Sequence, residues 1–148
     1  AKLLLQSLPD SAYFGRKDAQ QVAVVRRLVI DLDIPVTIAV MPTVREHDGL
    51  AISSRNAALS EEQRRAAPAF FLALSAMRDR YRSGMQDAAK LEEGCRALLA
   101  REPLFEAVDY LAVVDEQTFA PWTGGGPCLL VAAVRMGDVR LIDNAVLD

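Results

Sequence analysis

The sequence predicts an α/β unit followed by a small α+β unit. A short strand, an amphipathic helix and the β-branched run Val36 to Val40 stand in the order of a βαβ unit. Farther along, two helix patterns give way to strand patterns separated by glycine-containing turns, the order of an α+β unit. The 148 residues suffice for one domain or two small ones. With 51% hydrophobic and 25% charged residues, they have the balance of a soluble globular chain with material for a core.

The chain opens on Ala1-Lys2-Leu3-Leu4-Leu5-Gln6, apolar and helical in character, without an initiator Met or an N-cap, and reads as an excerpt of something longer. Residues 2–8 read as the end of a helix stopped by Pro9-Asp10. Ser11 to Phe14 form a short buried strand ending at Gly15. Asp18 is placed to cap a helix running to about Leu32, with Val22, Val25, Leu28, Val29 and Leu32 as its apolar stripe. Pro35 precedes the second strand, Val36 to Val40, whose composition suits burial on both faces. The two strands should lie parallel with a right-handed crossover. Two parallel strands make a poor sheet, so the unit calls for more sheet than these residues supply.

Ser60-Glu61-Glu62-Gln63 is a capping-box pattern that starts a helix. Ala67, Phe70, Phe71, Leu74, Met77 and Tyr81 follow at helical spacing as core positions, and Gly84 closes the helix. A second helix covers about Asp87 to Arg101, burying Leu91, Cys95, Leu98 and Leu99. Val108 to Asp115 and Cys128 to Arg135 then read as strands. The loop between them holds Pro121, Trp122 and Gly124-Gly125-Gly126, and a turn at Gly137-Asp138 leads to a last strand, Arg140 to Asn144. Three glycines in a row could cradle a phosphate, but no Lys-Ser/Thr follows and no helix opens there, so a hairpin connection is expected. The second unit is thus two helices with a three-stranded antiparallel sheet.

A formal net charge of −3 argues against a general nucleic-acid or anionic-membrane surface and leaves room for a local basic pocket. No apolar run is long enough to span a bilayer and no secretory signal is visible. Cys95 and Cys128 lie far apart, without metal-like spacing, so a cytoplasmic setting with two buried thiols is expected. The only histidine, His47, rules out a His-rich metal site and reads as a solvent-facing loop residue. Ser53 and Ser54 lack the elbow motif that exposes a nucleophilic serine. No metal-ligating set is assigned.

Two stretches carry chemistry. Asp48-Gly49-Leu50-Ala51-Ile52-Ser53-Ser54-Arg55-Asn56 combines a turn signal with two hydroxyls, a guanidinium and an amide, groups suited to the oxygens of a polyphosphate; a polar connecting loop would use the same residue types. Tyr13 to Gln21 lies where a strand's C-terminal end meets a helix N-terminus, the ligand edge of an open α/β sheet. There Gly15 permits close backbone approach, Lys17 brings a mobile cation and the helix N-terminus favours anions. Asp18 and Gln21 can also form a capping box, and Asp18 can do both. These are donors and cations without a proton-transfer group. Adenylation by ATP needs little else, because the protein positions the reactants and stabilises charge.

Phe14-Gly15-Arg16-Lys17-Asp18-Ala19-Gln20-Gln21 resembles the FGxKDxQQ motif of the pantoate–β-alanine ligase family, and Arg45 to Asn56 is similar to its R-x-x-D-G-L-A-x-S-S-R-N signature. Val108-Asp109-Tyr110 and Arg140-Leu141-Ile142-Asp143-Asn144 also fit. The resemblance implies that residues 1–44 are the end of a nucleotidyltransferase-like Rossmann domain and residues 45–148 a C-terminal lid domain. It implies that Gly15, Arg16, Lys17, Asp18, Val44, Ile52, Ser53, Ser54 and Arg55 contact ATP and that Gln21 binds pantoate. Ile52 to Arg55 would stand for the loop that closes over the phosphates, with Lys17, Ser53, Ser54 and Arg55 as the catalytic groups stabilising charge as pyrophosphate leaves.

The implied reaction joins pantoate and β-alanine, with ATP as co-substrate and Mg²⁺, through pantoyl adenylate, giving pantothenate, AMP and pyrophosphate. The implied partners are these small molecules, with neither nucleic acid nor membrane, and the full-length family is homodimeric. Position 16 is commonly Glu in the family and position 19 commonly aromatic, where this chain has Arg16 and Ala19. The family's histidine motif, another pantoate-binding Gln and most of its Rossmann sheet belong to an earlier half that these residues lack, so this chain alone is expected to be inactive. Two alternatives stand beside this reading. One is a catalytically incomplete C-terminal fragment that only binds a nucleotide or a partner; the other is a different adenylyl- or cytidylyltransferase with a similar Ser-Ser-Arg loop.

Overall fold

The structure, a computed structural model, describes all residues from Ala1 to Asp148. The first unit holds α1 (Lys2–Ser7), β1 (Ser11–Gly15), α2 (Ala19–Asp31) and β2 (Thr37–Met41). β1 and β2 pair in parallel, from Ser11 opposite Thr37 to Gly15 opposite Met41, with α2 as the crossover. Asp18 caps α2 by accepting the Gln21 amide at 3.1 Å. The predicted stripe of α2 is fully buried only at its start; Val25, Leu28 and Val29 are half-buried. Val22 is buried together with Ala23, whereas Val24, Ile30 and Leu32 are exposed and β2 is half-exposed rather than buried on both faces. The reason is geometric: a two-stranded sheet is too narrow to cover α2 fully, so much of both elements is only partly buried in this chain.

The second unit departs from expectation in its helices. The predicted helix over 60–84 divides into α3 (Glu61–Ala66) and α4 (Pro68–Arg82). Pro68 has no N–H to offer the Arg64 carbonyl, so the hydrogen-bond ladder breaks while Ala67 keeps helical dihedrals. The capping box is made in full: Ser60 Oγ accepts the Gln63 amide at 3.2 Å and Gln63 Oε1 accepts the Ser60 amide at 2.9 Å. α5 (Ala88–Leu99) follows, capped by Asp87.

β3 (Ala107–Asp115), β4 (Cys128–Met136) and β5 (Val139–Leu147) form an antiparallel meander with β4 in the centre. β5 runs farther than Asn144. One sheet face packs Leu111, Val113, Leu130, Val134 and Leu141 against Phe70, Leu74, Met77, Leu91 and Leu99 of the helices. On the other face, Val114, Leu129 and Val131 meet Ala19 at the start of α2. β4 is therefore covered on both sides, which explains its apolar composition from Cys128 to Val134. The three glycines fold as a hairpin loop, all at positive φ, and buried Trp122 donates its indole N–H to the Gly125 carbonyl at 3.1 Å.

Both thiols are buried and free, as expected. Burial pushes the Cys95 thiol up to about 12, so almost no thiolate exists at pH 8. Iodoacetamide at that pH should leave Cys95 unmodified in the native chain and label it fully in urea, as read by mass spectrometry. Rapid native labelling would contradict this packing.

Candidate active site

Residues 44–52 leave β2 and fold back on themselves. The Glu46 amide donates to Leu50 O at 2.8 Å, the Ile52 amide to Val44 O at 3.0 Å, and the Gly49 amide closes the turn on Glu46 O at 3.0 Å. Gly49 has φ +93°, and a Cβ there would lie 2.2 Å from Phe71 Cδ1, so both conformation and space demand glycine. Phe71, expected in the core, instead lies under this turn with the Arg45 guanidinium 4.4 Å above its ring.

Arg45 continues to Asp143 on β5 in a two-pronged pair, Nη1 to Oδ2 at 2.5 Å and Nη2 to Oδ1 at 3.0 Å, while Nη1 also donates to Gly49 O at 3.1 Å. Arg64 fastens the turn from the other side, bonding Asp48 at 2.7 Å and Glu46 at 2.6 Å. The stretch that could have been an ordinary polar loop is anchored at both flanks. Beyond it Ser53 Oγ caps a 3₁₀ turn, Ser54–Ala58, by accepting the Arg55 amide at 3.2 Å. Ser54 and Arg55 remain exposed.

Asp48 carries a pH consequence. Its hydrogen bond from Arg64 holds the carboxyl below its ordinary 3.8 against some desolvation, with the Leu50 amide adding to the effect. A depressed carboxyl contributes stability that is complete above the unfolded value and disappears as pH falls through the folded one. Urea unfolding between pH 6 and 2 should therefore show a loss beginning near 3.8 that Asp48→Asn makes shallower. An identical acid slope in the variant would refute the assignment.

The second stretch meets the first at Lys17, whose Nζ donates to Ile52 O at 3.1 Å. Partial burial lowers the Lys17 ammonium below its ordinary 10.5; Asp143 opposes this, and Arg55 and Arg45 add to it. Asn144, beside Asp143 on β5, donates its amide to the Arg16 carbonyl at 2.7 Å and the Lys17 carbonyl at 3.1 Å. The Arg16 guanidinium turns toward Glu116 at 3.6 Å. A Cβ at Gly15 would meet nothing within 4 Å, so the chain's own packing does not require glycine there.

The structure thus brings Lys17 and Ile52 together with Ser53 to Arg55 in the same neighbourhood. Gly15 and Asp18 stand at the adjoining strand end and helix start. Val44 and Ile52 are exposed, and Gln21 faces solvent on the first turn of α2. Asp18 makes the cap, but the return bond of a full capping box is missing. His47 is exposed, as expected. No group of three or more His, Cys, Asp or Glu side chains could hold an ion. A cleft of about 390 Å³ lies alongside, lined by Arg16, Arg45, Phe71, Arg78, Arg82 and Asn144, without Lys17 or Ser53 to Arg55.

Sequence reasoning assigned no role to Arg45, Asp143 and Asn144. The available signal was an Asp-Asn pair inside a largely apolar strand, where buried polar groups need partners.

The family model described as pantoate-beta-alanine ligase matches residues 1–146. The pantothenate synthetase of Heliobacterium modesticaldum is 47% identical over 141 residues, covering 95% of this chain and 50% of that protein. That of Chloroflexus aurantiacus is 49% identical over 142 residues, with 95% and 50% covered. The crystal structure of the Thermus thermophilus enzyme superposes with a TM-score of 0.91 at 43% identity, over 99% of this chain and 52% of that one. A Francisella tularensis pantoate-beta-alanine ligase, complexed with beta-gamma ATP and beta-alanine, gives a TM-score of 0.62 at 27% identity, over 99% and 47%. The chain spans about half the length of the curated relatives it matches.

Proposed function

Because the chain belongs to the pantoate–β-alanine ligase family, we propose that it forms the ATP-facing C-terminal half of an AMP-forming ligase that joins pantoate to β-alanine. In this reading residues 1–44 are the end of the Rossmann domain and residues 45–148 the lid. The observation that carries it is the Lys17–Ile52 bond, which puts the two donor-rich stretches side by side.

A pantoate carboxylate oxygen attacks the α-phosphorus of MgATP and pyrophosphate leaves with the magnesium. The β-alanine amine then attacks the acyl carbonyl of pantoyl adenylate, loses a proton and expels AMP. Lys17, Ser53, Ser54 and Arg55 stabilise charge on the departing phosphates, where fixed donors act most strongly. Gly15, Arg16, Asp18, Val44 and Ile52 border the nucleotide, and the open space beside Gly15 leaves room for it. Gln21 holds pantoate. The donors are cationic or neutral and suit phosphate oxygens, so Mg²⁺ belongs with the ATP as substrate.

A second reading rests on the chain's share of its relatives, about half their length: a catalytically incomplete fragment that only binds a nucleotide or a partner. Pantoate-dependent ATP–pyrophosphate exchange with Mg²⁺ separates the two. It is measured for this chain alone and with the N-terminal half of a family member added, with a full-length relative as control. Exchange by the chain alone supports a self-sufficient catalyst, and exchange only after addition supports assembly from two halves. No exchange in either case, with the control active, overturns the ligase reading for this chain.

A further inference from the structure

We propose that Asp143 and Asn144 are positioning residues that set the spacing between the Lys17 segment and the Ser53–Arg55 loop. The proposal rests on the reading of those two segments as ATP-facing. Neighbouring residues of a strand point to opposite faces. β5 uses that alternation at one step. Asp143 stands in phase with Leu141, Ala145 and Leu147, which belong to the helix-side core, and grips Arg45 at the root of the loop. Asn144 points the other way and grips the Arg16 and Lys17 carbonyls.

Both residues are nearly inaccessible, with 4% and 5% of their surface exposed. The Asp143 carboxylate also accepts the Asn144 backbone N–H at 2.8 Å, which fixes its orientation on the strand. The elements they join are otherwise remote in sequence, and the other direct bond between the two segments is the flexible Lys17 side chain to Ile52 O. A rigid strand therefore supplies the spacing that a lysine side chain cannot. The charges facing Lys17 are Asp143, Asp18, Arg45 and Arg55, so Asp143 both places the loop and balances the cations around the ammonium. Neither residue needs to touch substrate.

Asn144→Ala removes the grip on the Lys17 segment, and Asn144→Asp keeps the volume while setting an acceptor against two carbonyls. Asp143→Asn weakens the grip on the loop, and Cys95→Ala serves as a destabilised control remote from both. In the 148-residue chain, amide hydrogen exchange should quicken at residues 16–18 in both Asn144 variants and at 45–52 in Asp143→Asn. The Lys17 Nζ titration followed by NMR should move further down in Asp143→Asn. With the N-terminal half supplied, Asn144→Ala should cut kcat/KM for ATP about 100-fold, the scale expected for a small misplacement of reacting groups. Cys95→Ala should leave that value near wild type at an equal loss of Tm.

Wild-type kcat/KM in Asn144→Ala, or an equal fall in Cys95→Ala, would overturn the proposal. If the wild-type protein itself shows no exchange, the ligase reading has failed, and the spacing role is decided on the chain alone. Unaltered amide exchange and Lys17 titration across the variants would then overturn it, and altered ones would uphold it.

Discussion

Arg45→Ala is expected to lower the stability of this chain by about 3–5 kcal/mol, the range for removing one partner from a buried ion pair. The Asp143 side chain is 3% exposed and receives both prongs of the guanidinium. After the substitution its carboxylate would keep the Asn144 amide and little else. The same change removes the cation over Phe71 and a donor to Gly49 O. Arg45→Lys should recover only part of the loss, because a point charge cannot reach both oxygens and stack on a ring at once. Replacing both partners, as Arg45→Met with Asp143→Leu, should be far less costly than Arg45→Ala, since no charge is left unpaired. Urea unfolding read by circular dichroism gives all three values. A loss below about 1 kcal/mol in Arg45→Ala, the scale of an exposed pair, would mean that solvent reaches Asp143.

Lys17→Ala is expected to reduce pantoate-dependent ATP–pyrophosphate exchange by about 10²–10³-fold, the range for removing one donor aimed at developing charge. Stability should hardly change, because the one hydrogen bond lost is to Ile52 O and the ammonium is only partly buried. The pH dependence offers a sharper check. Burial places the folded Lys17 below its ordinary 10.5. In the proposed role the charged form serves the phosphates and is present below the folded value, so kcat/KM for ATP should fall as pH rises through it. Between that value and 10.5 the unfolded chain binds more protons than the folded one, so Lys17's contribution to stability rises with pH. Activity and stability should therefore move in opposite directions across one alkaline window, and Lys17→Ala should remove both trends. A parallel fall of the two in the wild type would point to general alkaline unfolding instead.

What the sequence disclosed followed its local patterns. The apolar run Cys128 to Arg135, the helical stripe of α4 and the β-branched Val36 to Val40 each formed the element expected. The parallel pairing of β1 with β2 followed from chirality and connection length. Less legible were features that depend on what lies across from a residue. Phe71 fits a core stripe yet lies beneath a loop, because Gly49 leaves space for its ring. Leu32 fits the stripe of α2 yet is exposed, because no strand of this chain lies opposite it. Pro68 is readable in the sequence and outweighs the stripe: a missing N–H breaks the ladder even where the apolar spacing continues.

The site was legible in its donors and illegible in its supports. Lys17, Ser53, Ser54 and Arg55 declare themselves by residue type. Arg45, Asp143 and Asn144 stand out in the sequence only as motif members and as a polar pair in a strand; their partners show only once stretches about a hundred residues apart are folded together.

That separation bears on the order in which the molecule assembles. The βαβ unit and the β3–β4–β5 meander close through neighbours along the chain, whereas the Arg45–Asp143 bond spans 98 residues and those of Asn144 to Arg16 and Lys17 span 128 and 127. Contacts of such long range come after local ones, because a long loop must be closed before they form. The two units should therefore acquire structure first and dock last. In native-state exchange the same junction should open below the global unfolding free energy, making the edge that joins the two units a separate cooperative step from the core of the sheet.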